Sequence, residues 1–135
     1  MASKIKVIGA RRPRIDLGHT VQKPELMRAV SRATGLVEGT ADQAIKEFRD
    51  QIIEFCRTGR SVKVEGLGIW TPNIGMDGRL DIQYRADPAL INGLNIPGTF
   101  TGGIINRENI GKTSEELYLG WNEDFPEDQV EFSAN

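Results

Sequence analysis

With 135 residues, 27% of them charged and 39% hydrophobic, the chain fits one compact domain of roughly 90–110 residues plus extensions, and this composition excludes fibrous classes and wholesale disorder. No apolar run approaches the ~20 residues that would span a bilayer, so no membrane partner is expected, and Arg11, Arg12 and Arg14 interrupt the N-terminus before a signal-peptide core can form, which predicts a cytoplasmic protein. The formal charge of −2 hides a polarity: residues 1–23 carry six Lys/Arg against one acid, residues 24–95 nine against ten, and residues 96–135 two against eight.

Catalytic chemistry has little to stand on. A single cysteine, Cys56, and a single histidine, His19, rule out an internal disulfide and a Cys/His zinc cluster, so no metal or cofactor is expected. Cys56 lies on an apolar helical stripe and reads as a packing residue, and His19, between Gly18 and Thr20, as a turn or surface residue. Gly66 and Gly68 lack the third glycine and the following helix of a dinucleotide fingerprint. No nucleophile with a base is picked out, and the chain reads as a non-enzyme.

In chain order, Lys4-Ile5-Lys6-Val7-Ile8 alternates like a strand and could add to a sheet edge, while Arg11-Arg12-Pro13-Arg14 suits an extended basic segment. A first helix is predicted from about Lys23 to Thr34, with Pro24 and Glu25 in its first turn, Leu26, Ala29, Val30 and Ala33 at helical spacing, and Gly35 as a left-handed cap. A second, from about Thr40 to Thr58, places Ala41, Ala44, Ile45, Phe48, Ile52, Phe55 and Cys56 on one stripe, with Gly59 closing it. That stripe asks for more apolar surface than the short neighbouring helix supplies, and a second copy of the chain would supply it. Ile45, Phe48, Ile52 and Phe55 are therefore the predicted dimer interface.

After Gly59 the period changes to two. Val62 and Val64 alternate with Lys63 and Glu65, Gly66 to Trp70 leads a second strand, Asp77-Gly78 makes a hairpin turn, and Leu80, Ile82 and Tyr84 define a third strand. Asp87 caps a short helix that starts at Pro88. Beyond it, Thr99 to Ile105 suggests an irregular strand. Thr113 with Glu116 forms a capping box ahead of a short helix through Leu117-Tyr118-Leu119. From Trp121 to Phe132, aromatic and acidic residues interleave in a pattern suited to docking, on this protein's own surface or on a partner's.

These pieces resemble a known family. Lys23-Pro24-Glu25-Leu26, Ala33-Thr34-Gly35-Leu36, the run Gly59 to Val64, Gly66-Leu67-Gly68-Ile69-Trp70, and Tyr84-Arg85-Ala86-Asp87-Pro88-Ala89-Leu90 follow the order and spacing of the bacterial histone-like HU/IHF-type DNA-binding family. Leu67 stands where that family's strand turn carries its first aromatic. The resemblance covers residues 21–95, leaving a basic extension at 1–20 and an acidic, aromatic one at 96–135. It implies an α+β fold and an intertwined homodimer, in which a two-helix base carries a three-stranded antiparallel sheet and a short final helix. It also implies a saddle for duplex DNA and a nucleoid location. The family's long arm, which wedges a proline between base pairs, is here cut to Pro72-Asn73-Ile74-Gly75-Met76-Asp77-Gly78.

Two functions stay open at this point. The first is a nucleoid-associated, architectural DNA-binding dimer that does not bend its duplex strongly. Its contacts would come from Arg60, Lys63, Arg79 and Arg85 on the saddle, with Lys4, Lys6, Arg11, Arg12 and Arg14 in the N-terminal extension. The second is an HU-fold structural or protein-interaction module that has lost DNA binding and assembles through its terminal extensions.

Overall fold

Pro24 in a first turn and Gly35 just past a last one bound a helix in the computed structural model, which describes residues 1–132. The chain divides into two units, His19–Phe100, and Met1–Gly18 together with the chain from Thr101 onward. The architecture is α+β with antiparallel sheets in both units. Among the described residues no helix is long and apolar enough to cross a membrane.

Numbered along the whole chain, the central unit begins with α2, Lys23–Thr34, and α3, Glu38–Arg57. Gly35 adopts φ 77°, and its N–H returns 2.8 Å to the Ser31 carbonyl, closing α2. The long helix starts two residues before the predicted Thr40 because Val37, in extended backbone, caps it and its carbonyl takes the N–H groups of both Thr40 and Ala41 at 3.0 Å. Asp42 on α3 accepts from Lys23 of α2 at 2.7 Å and from Lys46 one turn on at 2.9 Å, tying the two helices together.

Three strands follow in meander order, β2 (Val62–Val64), β3 (Gly68–Ile74) and β4 (Leu80–Ala86). The turn between β3 and β4 spans only residues 75–79, with Gly78 at φ 84° and the Asp77 Oδ1 accepting from the Arg79 N–H at 3.0 Å. The connection from Pro72 to Gly78 is thus a short hairpin that stops at the sheet. Register sets the two faces: Val62, Trp70 and Tyr84 share one row, and Lys63, Ile69 and Arg85 the next, on the opposite side. The apolar face meets α3 through an aromatic chain, Phe48 edge-on to Trp70 with centroids 5.8 Å apart and Trp70 on Tyr84 at 5.0 Å. The Tyr84 hydroxyl donates 2.7 Å to the Leu67 carbonyl. At Gly68, with φ 148°, a Cβ would strike the Arg85 carbonyl oxygen and the Tyr84 ring, so only glycine lets β3 and β4 approach here.

Asp87 joins two elements. Its Oδ1 caps α4, Pro88–Leu94, through the Ala89 N–H at 2.8 Å, and its Oδ2 accepts from Gly66 at the β2–β3 turn at 3.3 Å. The core beneath is thin: in this unit the buried hydrophobics are Met27, Ala41, Ile52 and Cys56.

The terminal unit is built from both ends of the chain, so the two extensions that the sequence presents separately fold together. Residues Lys4–Arg11 form a helix, α1, and not the strand suggested by alternation over five residues. Ser3 caps it, accepting from the Lys6 N–H at 3.1 Å, and Val7, with no exposed surface, packs in one cluster with Tyr118 and Trp121. A five-residue alternation is too short to separate the two periods, and tertiary burial decides between them. Arg14–Asp16 (β1) pairs antiparallel with Gly103–Ile105 (β5). Helix α5, Ser114–Asp124, is longer than expected, and Thr113 caps it through the Glu116 N–H at 3.3 Å. Ala2, Val7, Tyr118, Trp121 and Val130 close a core on which Ile8 and Phe132 pack. The chain after α5 is fastened back by Trp121 Nε1 on the Asp128 carbonyl at 2.8 Å and by two hydrogen bonds between the Asn122 amide and the Val130 backbone.

Candidate nucleic-acid interface

On the solvent face of the central sheet, Lys63 and Arg85 stand on either side of Ile69 in one row of the ladder. Two strand spacings separate their backbones by about 10 Å, a span that two long side chains can close around one anion. The row borders a hollow of about 420 Å³, floored by Gly68, Ile69 and Ala86 and walled by Pro88, Ile91 and Asn92 of α4. Neither cation is in an ion pair among the described residues, whereas Lys23, Lys46, Arg49 and Arg57 of the same unit each are. Two unpaired like charges on one face of rigid strands favour a bound anion.

The other two saddle candidates are not part of this pair. Arg60 lies before β2, its guanidinium 5.3 Å from the centre of the Phe55 ring. Arg79 sits at the far end of the hairpin, six residues along from Arg85, roughly 20 Å at strand rise. Its backbone closes the turn, the Arg79 carbonyl accepting from the Gly75 N–H at 2.9 Å.

The N-terminal candidates are engaged within their own unit. Lys6 Nζ is 3.1 Å from Asp128 and 5.5 Å from the centre of the Trp121 ring. Arg11 is 2.7 Å from Asp124 and lies over both Trp121, at 5.5 Å, and Phe125, at 5.8 Å. Lys4 sits 6.0 Å over Tyr118. Arg14 donates to the Gly9 carbonyl at 3.0 Å, and Arg12 is exposed as the C-cap of α1. The expected extended basic segment is therefore a helix and a short strand, and of its cations Lys4, Lys6 and Arg11 meet carboxylates or rings. The hydrogen bond from Lys6, with the terminal ammonium beside it, holds the Asp128 carboxyl below the usual carboxylate range, and those from Lys23 and then Lys46 do the same for Asp42.

Sequence reasoning missed the residues that pin this arm. Asn106, in left-handed backbone at φ 60°, donates to the carbonyls of Ala10 at 2.7 Å and Arg12 at 3.1 Å. Asn109, a buried polar residue, donates to the Arg11 carbonyl at 2.7 Å. These amides occupy the carbonyls left open at the end of α1, and Asn in a stretch without periodicity carries no signal for that role.

The predicted interface residues split. Ile45, Phe48 and Phe55 keep 46%, 37% and 43% of their surface exposed, but Ile52 keeps 8% and belongs to the chain's own core. The reason is helical phase: Ile52 shares the buried side of α3 with Cys56, one turn on. Beside that helix, Ile53, Cys56, Pro72, Ile74, Leu80 and Ile82 line an open apolar groove of about 600 Å³. In comparisons with known proteins, no family model and no curated protein matches this sequence.

Proposed function

We propose that the protein is an HU-like homodimer that holds duplex DNA on the solvent face of its sheets without the strong bend that a long arm would impose. The observation that supports this most directly is the placement of Lys63 and Arg85 across Ile69, unpartnered on a rigid face beside the α4 hollow. Phosphate contacts of this type position a protein on DNA without reading its sequence. The dimer follows from the opposite face. A unit that buries Met27, Ala41, Ile52 and Cys56 while leaving Ile45, Phe55, Ile74 and Leu80 in water has an apolar surface of the kind that marks an interface, and a two-fold copy would cover it with the same surface.

Fluorescence anisotropy on a labelled duplex of ~30 base pairs at two salt concentrations tests the reading. Binding should weaken steeply with salt, and K63Q/R85Q should flatten the slope by about 0.9 for each phosphate no longer neutralised. No binding by the unaltered protein at low salt would overturn it.

A second reading, a structural or interaction module without DNA, is favoured by the engagement of Lys6 and Arg11 with Asp128 and Asp124. It predicts assemblies beyond the dimer in light scattering that shrink when residues 96–135 are removed.

A further inference from the structure

Ion pairs and stacked cations in the terminal unit bear on one property of the DNA reading, and the inference rests on that reading. Residues 1–18 carry five Lys/Arg against one acid, and residues 101–135 carry eight acids against two Lys/Arg. Folding brings the two segments together. The acids that reach the basic segment are Asp124 and Asp128, while Glu115, Glu116 and Glu123 of α5 pair with no cation among the described residues. We propose that Asp124 and Asp128, with the rings of Trp121 and Phe125, withhold Lys6 and Arg11 from DNA, so that the C-terminal segment sets how many cations the protein offers a duplex.

Counterions supply the physical reason. A cation contributes to DNA affinity by replacing ions condensed on a phosphate, and each phosphate so neutralised adds about 0.9 to the slope of log affinity against log salt. A guanidinium already 2.7 Å from a carboxylate must exchange one anion for another, which returns little of that gain. Arg11 is restrained further by two rings and keeps 26% of its side chain exposed. The helix that carries both cations cannot swing out, since Val7 is fully buried and the Asn106 and Asn109 amides hold the backbone at its end. Exposed ion pairs of this kind add little to stability. Their consequence is electrostatic: they remove Lys6 and Arg11 from the cations, Lys63 and Arg85 among them, that a duplex can meet.

The test compares D124N/D128N with E115Q/E123Q in the full chain. Both variants remove two negative charges, but only the first frees Lys6 and Arg11. The Asp128 main-chain carbonyl that receives Trp121 Nε1 is retained in the first variant, and tryptophan emission checks that the unit stays folded. Each freed cation that meets a phosphate should make the affinity gain of D124N/D128N over the unaltered protein about 3.5-fold larger at about 50 mM than at about 200 mM salt, so at least about tenfold for Lys6 and Arg11 of one protomer. E115Q/E123Q should show a small gain with the slope unchanged. Equal gains in the two variants would reduce the effect to net charge and overturn the proposal, as would an unchanged slope in D124N/D128N. Failure of the unaltered protein to bind at low salt is a separate result: it sinks the DNA reading and this inference with it.

Discussion

The two units of this chain solve the burial problem in opposite ways. The terminal unit is assembled from segments far apart in sequence, yet it closes a core of its own around Val7, Tyr118, Trp121 and Val130, and the Trp121 indole N–H finds its acceptor within the same unit. The central unit has longer helices and a three-stranded sheet, but its apolar face stays open along Ile45, Phe48 and Phe55 of α3 and along the hairpin. Amphipathic elements bury only what their neighbours can cover. Two helices and one small sheet leave a face over, whereas two short helices with a folded-back tail close on one aromatic cluster.

The difference can be broken experimentally, starting with the largest effect. Trp121→Ala removes the centre of the terminal core and the donor to the Asp128 carbonyl, at a cost of about 3–5 kcal/mol. Hydrogen exchange should show α1 and α5 losing protection while α2, α3 and the β2–β4 sheet keep theirs. Loss of protection in both units together would mean that the division is not energetic. Ile45→Asp bears on the other side of the comparison: it places a charge on the exposed stripe of α3 without touching the buried Ile52. If a second copy covers that stripe, association should weaken by at least about 2 kcal/mol. Light scattering should then show the mass falling from dimer to monomer, and a variant that keeps its dimer mass would place the interface elsewhere.

Acid should produce the smallest change. Asp128 and Asp42 have carboxyls held below their ordinary value of 3.8 by neighbouring ammonium groups. Their stabilisation is therefore complete above that value and is lost as pH falls through the lower, folded one. Both groups are partly exposed, so the terminal clasp and the α2–α3 tie should loosen only modestly, and only below about pH 4. Tryptophan emission followed through an acid titration, with and without D128N, reads the first of these. A transition near neutral pH, or one that D128N leaves unmoved, would assign the clasp to other groups.

Much of the central unit was legible because its signals are local. Pro24 and Gly35 bracket α2, the stripe from Ala41 to Cys56 marks α3, Asp77-Gly78 turns the hairpin, and Asp87-Pro88 starts α4, each through chemistry within a few residues of itself. The alternation of Lys63 and Arg85 with apolar neighbours put both on one face in advance, and the register then set them on either side of Ile69. Helical phase was harder to read. The stripe of α3 is wide, and only packing separates Ile52, turned inward, from Ile45 and Phe55, left outside.

The terminal unit was nearly illegible for the converse reason. Lys4 to Ile8 fits strand and helix equally well, and what selects the helix is an aromatic core supplied from more than a hundred residues away. Nothing local announces that Asn106 and Asn109 will end α1, or that Asp124 and Asp128 will meet Arg11 and Lys6. The sequence by itself determined the elements of the central unit, its short hairpin turn and the opposite charges of the two extensions, since these depend on short-range backbone preference and composition. Tertiary structure alone decided that the extensions close on each other and that the basic segment is held by the acidic one. Which partner a charge or an apolar face finds depends on where the chain returns in space, and no local pattern encodes that.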